Sequence, residues 1–377
     1  MLIKNIDLSN KRILVTGAAG FIGANLVKEL VQRYPQCRIM GIDNVNNYYD
    51  VRIKQYRLDE IATVVAADEQ FEMVRGSIAD KALIENVFAE FKPEIVVNLA
   101  AQAGVRYSIE NPDAYMEANV IGFYNILEAC RHSYDKSAGA SCGDADDAGK
   151  DGTVAGDAEY HGVEHLVYAS SSSVYGNNKK VPYSVDDKVD NPVSLYAATK
   201  KSNELMAHAY SKLYGIPATG LRFFTVYGPA GRPDMAYFGF TDKLVKGETI
   251  KIFNFGNCKR DFTYVDDIVT GVINVMQKSP DANEDGVKYK VYNIGNNDPV
   301  NLLDFVDILQ QELIEAGVLP RDYDFESHKE LVPMQPGDVE ITYADTSALE
   351  EDFGFKPATP LREGLRSFAR WYKEYYG

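Results

Sequence analysis

The sequence is poor in cysteine and has no two cysteines at close spacing. The four that are present, Cys37, Cys130, Cys142 and Cys258, are scattered along 377 residues. Cysteine-based zinc sites and redox motifs need pairs within a few residues, and disulfide frameworks belong to short secreted chains. The pattern excludes both kinds of site. We therefore expect no bound metal and a reducing, cytoplasmic compartment.

Positive charge is also scarce, because 39 Lys and Arg face 55 Asp and Glu, for a net charge of −16. A nucleic acid or an anionic membrane would meet no attractive field, so we expect neither partner. No apolar run approaches the roughly 18 residues of a membrane span, and residues 1–10 hold no long apolar stretch. We expect a protein that is neither secreted nor inserted in a membrane.

What is present is an ordinary globular composition, 45% hydrophobic and 25% charged. A chain of 377 residues can bury a large core, and its length suits one two-lobed enzyme or two domains. Because the overall charge is negative, an anionic substrate would have to meet a few well-placed arginines.

The first chemical motif is a glycine-rich turn. The apolar run at 11–16 has the character of a buried strand, residues 25–31 form a helical pattern, and between them lies Gly17-Ala18-Ala19-Gly20-Phe21-Ile22-Gly23. The three glycines allow a tight turn, close approach to a pyrophosphate and close packing of helix on strand. A turn that only joins strand to helix is the alternative.

A carboxylate follows the second predicted strand, 38–42. This residue, Asp43, lies about 20 residues after Gly23. A carboxylate here accepts hydrogen bonds from the adenosine ribose and repels a 2′-phosphate, which favours NAD over NADP. The alternative is that Asp43 caps a helix or forms a turn.

Strands and helices continue to alternate. Strands are predicted at 71–75, 94–99, 165–169 and 218–224, and helices at 80–91, 112–131 and 196–214. Such repeats predict an α/β fold with a doubly wound parallel sheet and a ligand at the carboxyl ends of its strands. We expect residues 1–226, with return segments near 263–298, to form a Rossmann domain that binds NAD. Residues 227–377 would form a smaller mixed α/β lobe that covers the site and binds the substrate.

Acid–base chemistry is suggested by Tyr196 and Lys200, which follow a row of hydroxyls at 170–173. Their spacing places phenol and ammonium one helical turn apart on one face. Tyrosine, with a reference pKa near ~10, is a poor base at neutral pH unless a nearby cation stabilises the phenolate. Lys200 is placed to do this, and an oxidised nicotinamide would add to it. Taken alone, the pair also fits an amphipathic helix with a solvated lysine.

The two long helical patterns, 112–131 and 196–214, carry more apolar surface than one sheet face needs. They could pair with a second subunit as a homodimer or simply pack in the core. Asn119, in the first of them, could reach a cofactor or cap a neighbouring group. The segment 133–162 is rich in Gly, Ala, Asp and Ser, which predicts a surface loop without catalytic residues.

Together these motifs resemble the extended short-chain dehydrogenase/reductase family, and within it the nucleotide-sugar 4-epimerases of the UDP-glucuronate type. The resemblance covers nearly the whole chain, with 103–108 and 225–235 pointing to the uronate branch. It rests on five signals in the family's order: 16–23, Asp43-Asn44, 170–176, Tyr196 with Lys200, and 260–262. Three features depart from the family pattern: a longer 133–162 segment, Ser77 where relatives often carry an acid, and Gln335 where galactose-type epimerases tend to place an arginine.

The resemblance implies NAD as the cofactor and a UDP-sugar as the substrate. The implied cofactor contacts are Gly17, Gly20, Phe21, Ile22, Gly23, Asp43, Asn44, Ala100, Asn119, Tyr196 and Lys200. Ser171 would hydrogen-bond the reacting hydroxyl and Tyr196 would take its proton. The implied substrate contacts are Arg106, Ser171, Ser172, Ser173, Thr225, Arg232, Arg260 and Asp338. Of these, Arg106 and Arg232 are candidates for an acidic end of the sugar.

The implied reaction is reversible epimerisation at C4 through a transient 4-ketone, most closely UDP-glucuronate to UDP-galacturonate. Dehydratases and decarboxylases of this fold use carboxylates where this chain has Ser172 and Ser173. UDP-glucose or a UDP-N-acetylhexosamine remain alternative substrates. An NADP-dependent reductase is disfavoured by Asp43, and a non-catalytic NAD-sensing protein by the presence of Tyr196 and Lys200.

A uronate substrate carries a hazard, because a 4-ketone next to a carboxylated C5 loses carbon dioxide readily. An arginine gripping both carboxylate oxygens would keep that group ionised and fix its plane. We hypothesise that Arg232, in a Gly-Pro-rich loop just past a strand end, has this role.

Overall fold

The computed structural model of the protein describes residues 4–67, 69–138, 160–334 and 340–377. The strands are β1 (Arg12–Thr16), β2 (Arg38–Asp43), β3 (Phe71–Arg75), β4 (Ile95–Asn98), β5 (His165–Ser171), β6 (Ala218–Phe223), β7 (Thr225–Tyr227), β8 (Ile250–Ile252), β9 (Lys259–Tyr264), β10 (Tyr289–Ile294), β11 (Pro299–Asn301), β12 (Lys329–Leu331) and β13 (Ile341–Thr342).

The α-helices are α1 (Phe21–Arg33), α2 (Val51–Val64), α3 (Lys81–Phe91), α4 (Tyr107–Glu110), α5 (Pro112–Tyr115), α6 (Gly122–Ala138), α7 (Leu195–Tyr214), α8 (Ala236–Val245), α9 (Val265–Met276), α10 (Leu302–Glu315), α11 (Ser347–Phe353) and α12 (Leu361–Tyr376). Turns of 3-10 helix lie at Ser172–Tyr175, Phe253–Gly256 and Glu326–His328, and a π-helical turn lies at Met116–Ile121. None of the described helices is both long enough and apolar enough to cross a bilayer.

Seven strands form one parallel sheet in the order β3-β2-β1-β4-β5-β6-β10. Ile13, on β1, pairs with Ile39 on one side and Ile95 on the other, and all three are buried. Helices cover both faces, since α1 and α9 share one hydrophobic core with the sheet while α3, α6 and α7 share another. The predicted doubly wound α/β fold is confirmed. Its strand order reverses between β1 and β4, which opens a crevice at their carboxyl ends.

The other strands lie in two small groups, in which β9 pairs with β7, β11 and β13, and β8 pairs with β12. A third hydrophobic core lies among them, where Phe262 stacks on Phe305 with ring centroids 4.5 Å apart. Aromatic residues of α8 and α12, including Phe238, Phe368 and Trp371, fill the rest of this core. After α9 the chain returns to the large sheet, where β10 pairs with β6.

The helix predicted over 112–131 is interrupted in the structure. It consists of α5, the π-helical turn Met116–Ile121 and α6, which continues to Ala138. The turn surrounds Asn119, a buried amide whose hydrogen bonds are made outside the helix. π-helical turns occur where such local demands compete with the regular helix. Because α6 continues to Ala138, the first six residues of the loop predicted over 133–162 are helical. Residues 139–159 lie outside the described residues.

Candidate active site

A cavity of about 1050 Å³ lies at the carboxyl ends of the central strands. Pockets for one drug-sized ligand span roughly 300–1000 Å³, so this cavity is at the upper end of that range. The sequence-predicted residues that line it are Gly17, Gly20, Phe21, Ile22, Gly23, Asp43, Asn44, Ala100, Arg106, Ser171, Ser172, Ser173, Tyr196, Lys200, Thr225 and Arg232. The structure thus brings together residues from both halves of the chain.

The glycine-rich turn has no room for a side chain at its glycine positions. Gly17 has a φ of +74°, and a Cβ atom there would lie 2.8 Å from the backbone nitrogen of Ala100. A Cβ atom on Gly23 would lie 2.1 Å from the carbonyl oxygen of Gly17. Helix α1 begins directly after this turn, and no side chain caps its N-terminus at Gly20. Its first N–H groups therefore suit a phosphate anion, as the pyrophosphate of NAD requires.

Asp43 fixes the turn from the end of β2. Its two carboxylate oxygens accept hydrogen bonds from the N–H groups of Ala19, at 3.1 Å, and Val45, at 2.7 Å. A carboxylate has about four acceptor positions, so Asp43 can also accept from ribose hydroxyls in the cavity that it lines. Turn, helix terminus and carboxylate together fit NAD.

The catalytic candidates come from β5 and α7. Ser171 ends β5, and its hydroxyl accepts a hydrogen bond from the N–H of Ser173 at 3.1 Å, which starts the 3-10 turn. Ser194 caps α7 by accepting from the N–H of Ala197, also at 3.1 Å. This cap starts the helix just before Tyr196, and Tyr196 and Lys200 both line the cavity together with the serine row.

Burial is the largest influence on the proton affinity of both groups. It raises the pKa of Tyr196, while the Ser171 hydroxyl and the positive charge of Arg232 act in the opposite direction. Burial lowers the pKa of Lys200 to about 8. Lys200 donates a hydrogen bond to the carbonyl of Ala169 at 2.9 Å. Burial has the largest effect on the pKa of Tyr196, followed by the Ser171 hydroxyl and then Arg232, and the ammonium of Lys200 is directed at the Ala169 carbonyl. The expectation that Lys200 lowers the pKa of Tyr196 stays a prediction.

Arg232 lies in the cavity as one member of an ion pair that the sequence reasoning missed. Its Nε and Nη2 donate to the two carboxylate oxygens of Asp234, at 3.0 and 2.6 Å. The hydroxyl of Tyr48 donates to the same carboxylate at 3.2 Å. The Arg-x-Asp spacing was visible in the sequence. No local pattern, however, indicated that Tyr48, 186 residues away from Asp234, would join them.

A second missed group is Glu204, which follows Tyr196 and Lys200 at the same four-residue spacing. Its buried carboxylate accepts from Ser170, at 2.7 Å, and from Arg222, at 2.8 and 2.9 Å. Burial alone would raise the pKa of Glu204, but the hydrogen bonds and charge of Arg222 hold it below its usual value. This network ties α7 to β5 and β6 directly behind the serine row.

Among the described residues, two of the predicted site residues, Asn119 and Arg260, do not line the cavity. Asn119 lies behind it, where its amide bonds the backbone of Gln102 and the hydroxyl of Thr199. These hydrogen bonds match the alternative role of Asn119, capping neighbouring groups, and its contact with the cofactor stays a prediction. Arg260 donates through Nη1 to the carbonyls of Lys259 and Glu340, at 3.0 and 3.2 Å. Asp338 lies outside the described residues.

The fold is that of a Rossmann-type enzyme, and Ser171, Tyr196 and Lys200 are its candidate acid–base group beside a candidate NAD site. The chain belongs to the NAD dependent epimerase/dehydratase family, whose model matches residues 13–295. The family resemblance noted in the sequence is confirmed, and NAD is the cofactor of this family.

Relatives match over nearly the whole chain. Protein CapI of Staphylococcus aureus is 44% identical, over 97% of this chain and 99% of its own. UDP-glucuronate 4-epimerase 3 of Arabidopsis thaliana is 41% identical, over 97% of this chain and 77% of its own. The crystal structure of UDP-glucuronic acid 4-epimerase from Bacillus cereus, in complex with UDP-glucuronic acid and NAD, has a TM-score of 0.76 and 27% identity, over 97% of this chain and 100% of that chain.

Proposed function

We propose that the protein interconverts UDP-glucuronate and UDP-galacturonate by epimerisation at C4. The observation that carries the proposal is the cavity wall around Tyr196, where Ser171, Ser172 and Ser173 present hydroxyls and Arg232 presents a cation. Dehydratases and decarboxylases of this fold use carboxylates at the positions of Ser172 and Ser173. The hydroxyls found there favour plain epimerisation over loss of water or carbon dioxide. The Bacillus cereus enzyme, crystallised with UDP-glucuronic acid and NAD, supports the same substrate.

The residues of the chain divide the proton chemistry between them. Ser171 hydrogen-bonds the C4 oxygen while Tyr196 takes its proton, and Lys200 stabilises the phenolate as it forms. NAD, when bound, supplies the reversible acceptance of a hydride from C4. Tyr196 returns the proton once the sugar has turned to present its other face. Because the sugar must turn, most of the binding energy belongs on the UDP end.

Conversion of separate UDP-sugars tests the substrate. Purified protein would be incubated with UDP-glucuronate, UDP-glucose or UDP-N-acetylglucosamine, without added NAD, and the products resolved by chromatography. We expect conversion of UDP-glucuronate alone, by cofactor that stays with the protein through purification. Conversion of only a neutral sugar would contradict the proposal.

Arg232 has one guanidinium edge for a substrate carboxylate, because its Nε and Nη2 already hold Asp234. The neighbouring edge is formed by Nη1 and the second N–H of Nη2. A carboxylate bound there by two hydrogen bonds is kept ionised and in a fixed plane. In this way Arg232 would suppress decarboxylation of the 4-ketone.

Arg232→Ala should therefore increase the share of turnovers that end in carbon dioxide and a UDP-pentose. Hydrogen bonds to ionised groups contribute about 1.5–3 kcal/mol, which corresponds to an increase of roughly 10- to 100-fold. Release of labelled carbon dioxide from C6-labelled UDP-glucuronate measures it. Arg33→Ala, on the surface of α1, is the matched control. Leakage no greater than that of the control would show that Arg232 does not protect the carboxylate.

We further propose a homodimer formed through the segments 112–131 and 196–214. Large apolar side chains on these segments are exposed: Met116 at 46%, Ile121 at 50%, Leu205 at 60% and Leu213 at 68%. Paired across a two-fold axis, they would bury one another. Light scattering should give twice the chain mass for the wild-type protein and a monomer for Leu205→Glu. Val245→Glu, on α8, should remain dimeric, and a dimeric Leu205→Glu would refute this interface.

We also propose that NAD and the UDP-sugar are bound by the two parts of the chain that the sequence predicts. Residues 1–226, with return segments near 263–298, would bind NAD, which the pairing of β10 with β6 supports. Residues 227–377 would hold the UDP-sugar, with Arg260 and Asp338 toward UDP. Thr225, also toward UDP, and Arg106, near the sugar, would come from the first part. Arg106 lines the cavity and stacks on Phe253 at 5.6 Å. A cytoplasmic location is supported by Cys37, Cys130 and Cys258, all unpaired and buried.

A further inference from the structure

We propose that Arg57 is a positioning residue that holds the cofactor turn and the Arg232 loop in one arrangement. Its guanidinium, on α2, donates to backbone carbonyls of two segments whose neighbouring residues line the cavity. On the cofactor side Nη1 bonds Ala19 at 3.1 Å, and on the substrate side Nε bonds Ala230 at 2.8 Å and Nη2 bonds Gly231 at 2.9 Å. This inference deepens the proposed function and rests on it.

On the cofactor side, Arg57 completes the support of Ala19. The N–H of Ala19 donates to Asp43, and its carbonyl accepts from Arg57, each at 3.1 Å. The peptide groups on both sides of Ala19 are therefore fixed in the middle of the Gly17–Gly23 turn. Without the guanidinium, that carbonyl would lose a charged donor in a buried place, and the turn would be free to rearrange.

On the substrate side, the residues that Arg57 holds lead directly into Arg232. Ala230 has a φ of +49°, a left-handed conformation that costs an L-residue about 1–2 kcal/mol. Such a conformation persists only when its surroundings enforce it. The hydrogen bonds from Arg57 to Ala230 and Gly231 supply that enforcement, and they set the direction in which Arg232 leaves the loop.

Arg57 is also a buried positive charge. The side chain is 2% exposed, and within the part of the chain that the structure describes no carboxylate lies at ion-pair distance from it. Its surroundings include carbonyls, the hydroxyl of Tyr49 at 2.7 Å, the ring of Phe21 at 5.9 Å and a second cation, Lys54. A buried cation without a counterion favours an anion bound nearby. The dinucleotide pyrophosphate, held at the turn that Arg57 supports, is such an anion.

Arg57→Met tests the proposal with two readouts. One is the NAD content of the purified protein, measured on the nucleotide released by denaturation. The other is the affinity for UDP-glucuronate, measured by calorimetry in a Tyr196→Phe background so that no turnover occurs. Loss of charge-assisted hydrogen bonds corresponds to roughly 10- to 100-fold, so we expect both NAD retention and sugar affinity to weaken by about that factor.

Arg57→Lys separates charge from geometry. Lysine keeps the cation but lacks the planar fork that reaches three carbonyls at once. We expect it to restore most of the NAD content while the affinity for UDP-glucuronate, and the KM in an otherwise wild-type enzyme, stay impaired with a smaller change in kcat. A general loss of folding would not produce this split.

Arg52→Met is the matched control, because Arg52 lies on the same helix with a side chain that is 81% exposed. It should match the wild-type protein in both readouts. Wild-type NAD content and sugar affinity in Arg57→Met would overturn the proposal, as would wild-type sugar affinity in Arg57→Lys. If the wild-type enzyme converts no UDP-uronate, the proposed function fails, whereas the NAD content still tests the role of Arg57 at the turn.

Discussion

Replacing Tyr196 with phenylalanine should lower kcat by about 100- to 10,000-fold, the range spanned by loss of a general acid–base group. The variant keeps the ring and loses only the hydroxyl that exchanges the C4 proton. Ser171, beside it, is a neutral hydroxyl and cannot substitute as a base. NAD content and the affinity for UDP-sugars should stay near those of the wild-type protein, because the turn and Asp43 are untouched.

Tyr115→Phe is the control for this prediction. Its ring meets the ring of Tyr196 edge-on, with centroids 6.0 Å apart, and its hydroxyl is shared between the carbonyls of Ala103, at 2.8 Å, and Gly104. Removing that hydroxyl alters a loop contact but no proton transfer, so the loss should stay within about tenfold, the value of one such hydrogen bond. Single-turnover measurements on both variants separate the chemical step from product release. A Tyr196→Phe enzyme with wild-type kcat would refute the assigned base.

Replacing Lys200 with methionine should have opposite effects on activity and on stability. Removing a neighbouring cation shifts a phenol's pKa enough to cut the reactive phenolate by about 10- to 1000-fold, so kcat should fall in that range. The fold should nevertheless become more stable. Burial lowers the pKa of Lys200 from its usual 10.5 to about 8. At pH 7 this difference means that the buried ammonium destabilises the fold by about 3 kcal/mol.

The gain from Lys200→Met is partly offset, because the carbonyl of Ala169 loses its donor at a cost of about 1 kcal/mol. Since the pKa in the folded state lies below that in the unfolded state, the wild-type protein loses stability as pH falls from 10.5 to about 8. The advantage of the variant should therefore be small at pH 10 and constant below pH 8.

Urea denaturation across this pH range, beside kcat, measures both effects. Lys201→Met, which removes a more exposed lysine on the same helix, should change neither activity nor stability by a comparable amount. A variant that is less stable than the wild-type protein at pH 7 would show that the buried charge does not destabilise the folded state.

Much of the fold could be predicted from the sequence because the patterns that indicate strands and helices are local. Apolar runs of strand length, separated by helical patterns, predicted six of the strands of the large sheet, from β1 to β6, and their parallel arrangement. The helix over 112–131 was predicted without its π-helical turn. That turn depends on where the amide of Asn119 finds partners, and those partners lie on a different loop and on α7.

The site was predicted unevenly for the same reason. Residues whose role depends on position along one turn or helix, such as Gly17, Asp43, Tyr196 and Lys200, line the cavity. Arg232 also lines it, but its ion pair with Asp234 and the contact with Tyr48 were not foreseen. No pattern in the sequence indicated a role for Arg57, since an arginine on a helix is ordinarily a solvated side chain.

By itself, the sequence determined which elements form, the types of residue at the strand ends and hence the class of chemistry. Only the tertiary structure decided which of these groups meet. Arg57 lies 38 residues from Ala19 and 174 from Gly231, yet binds both. Contacts of this kind follow from how the strands align in the sheet, and that alignment is set by packing across the whole core rather than by neighbours in the chain.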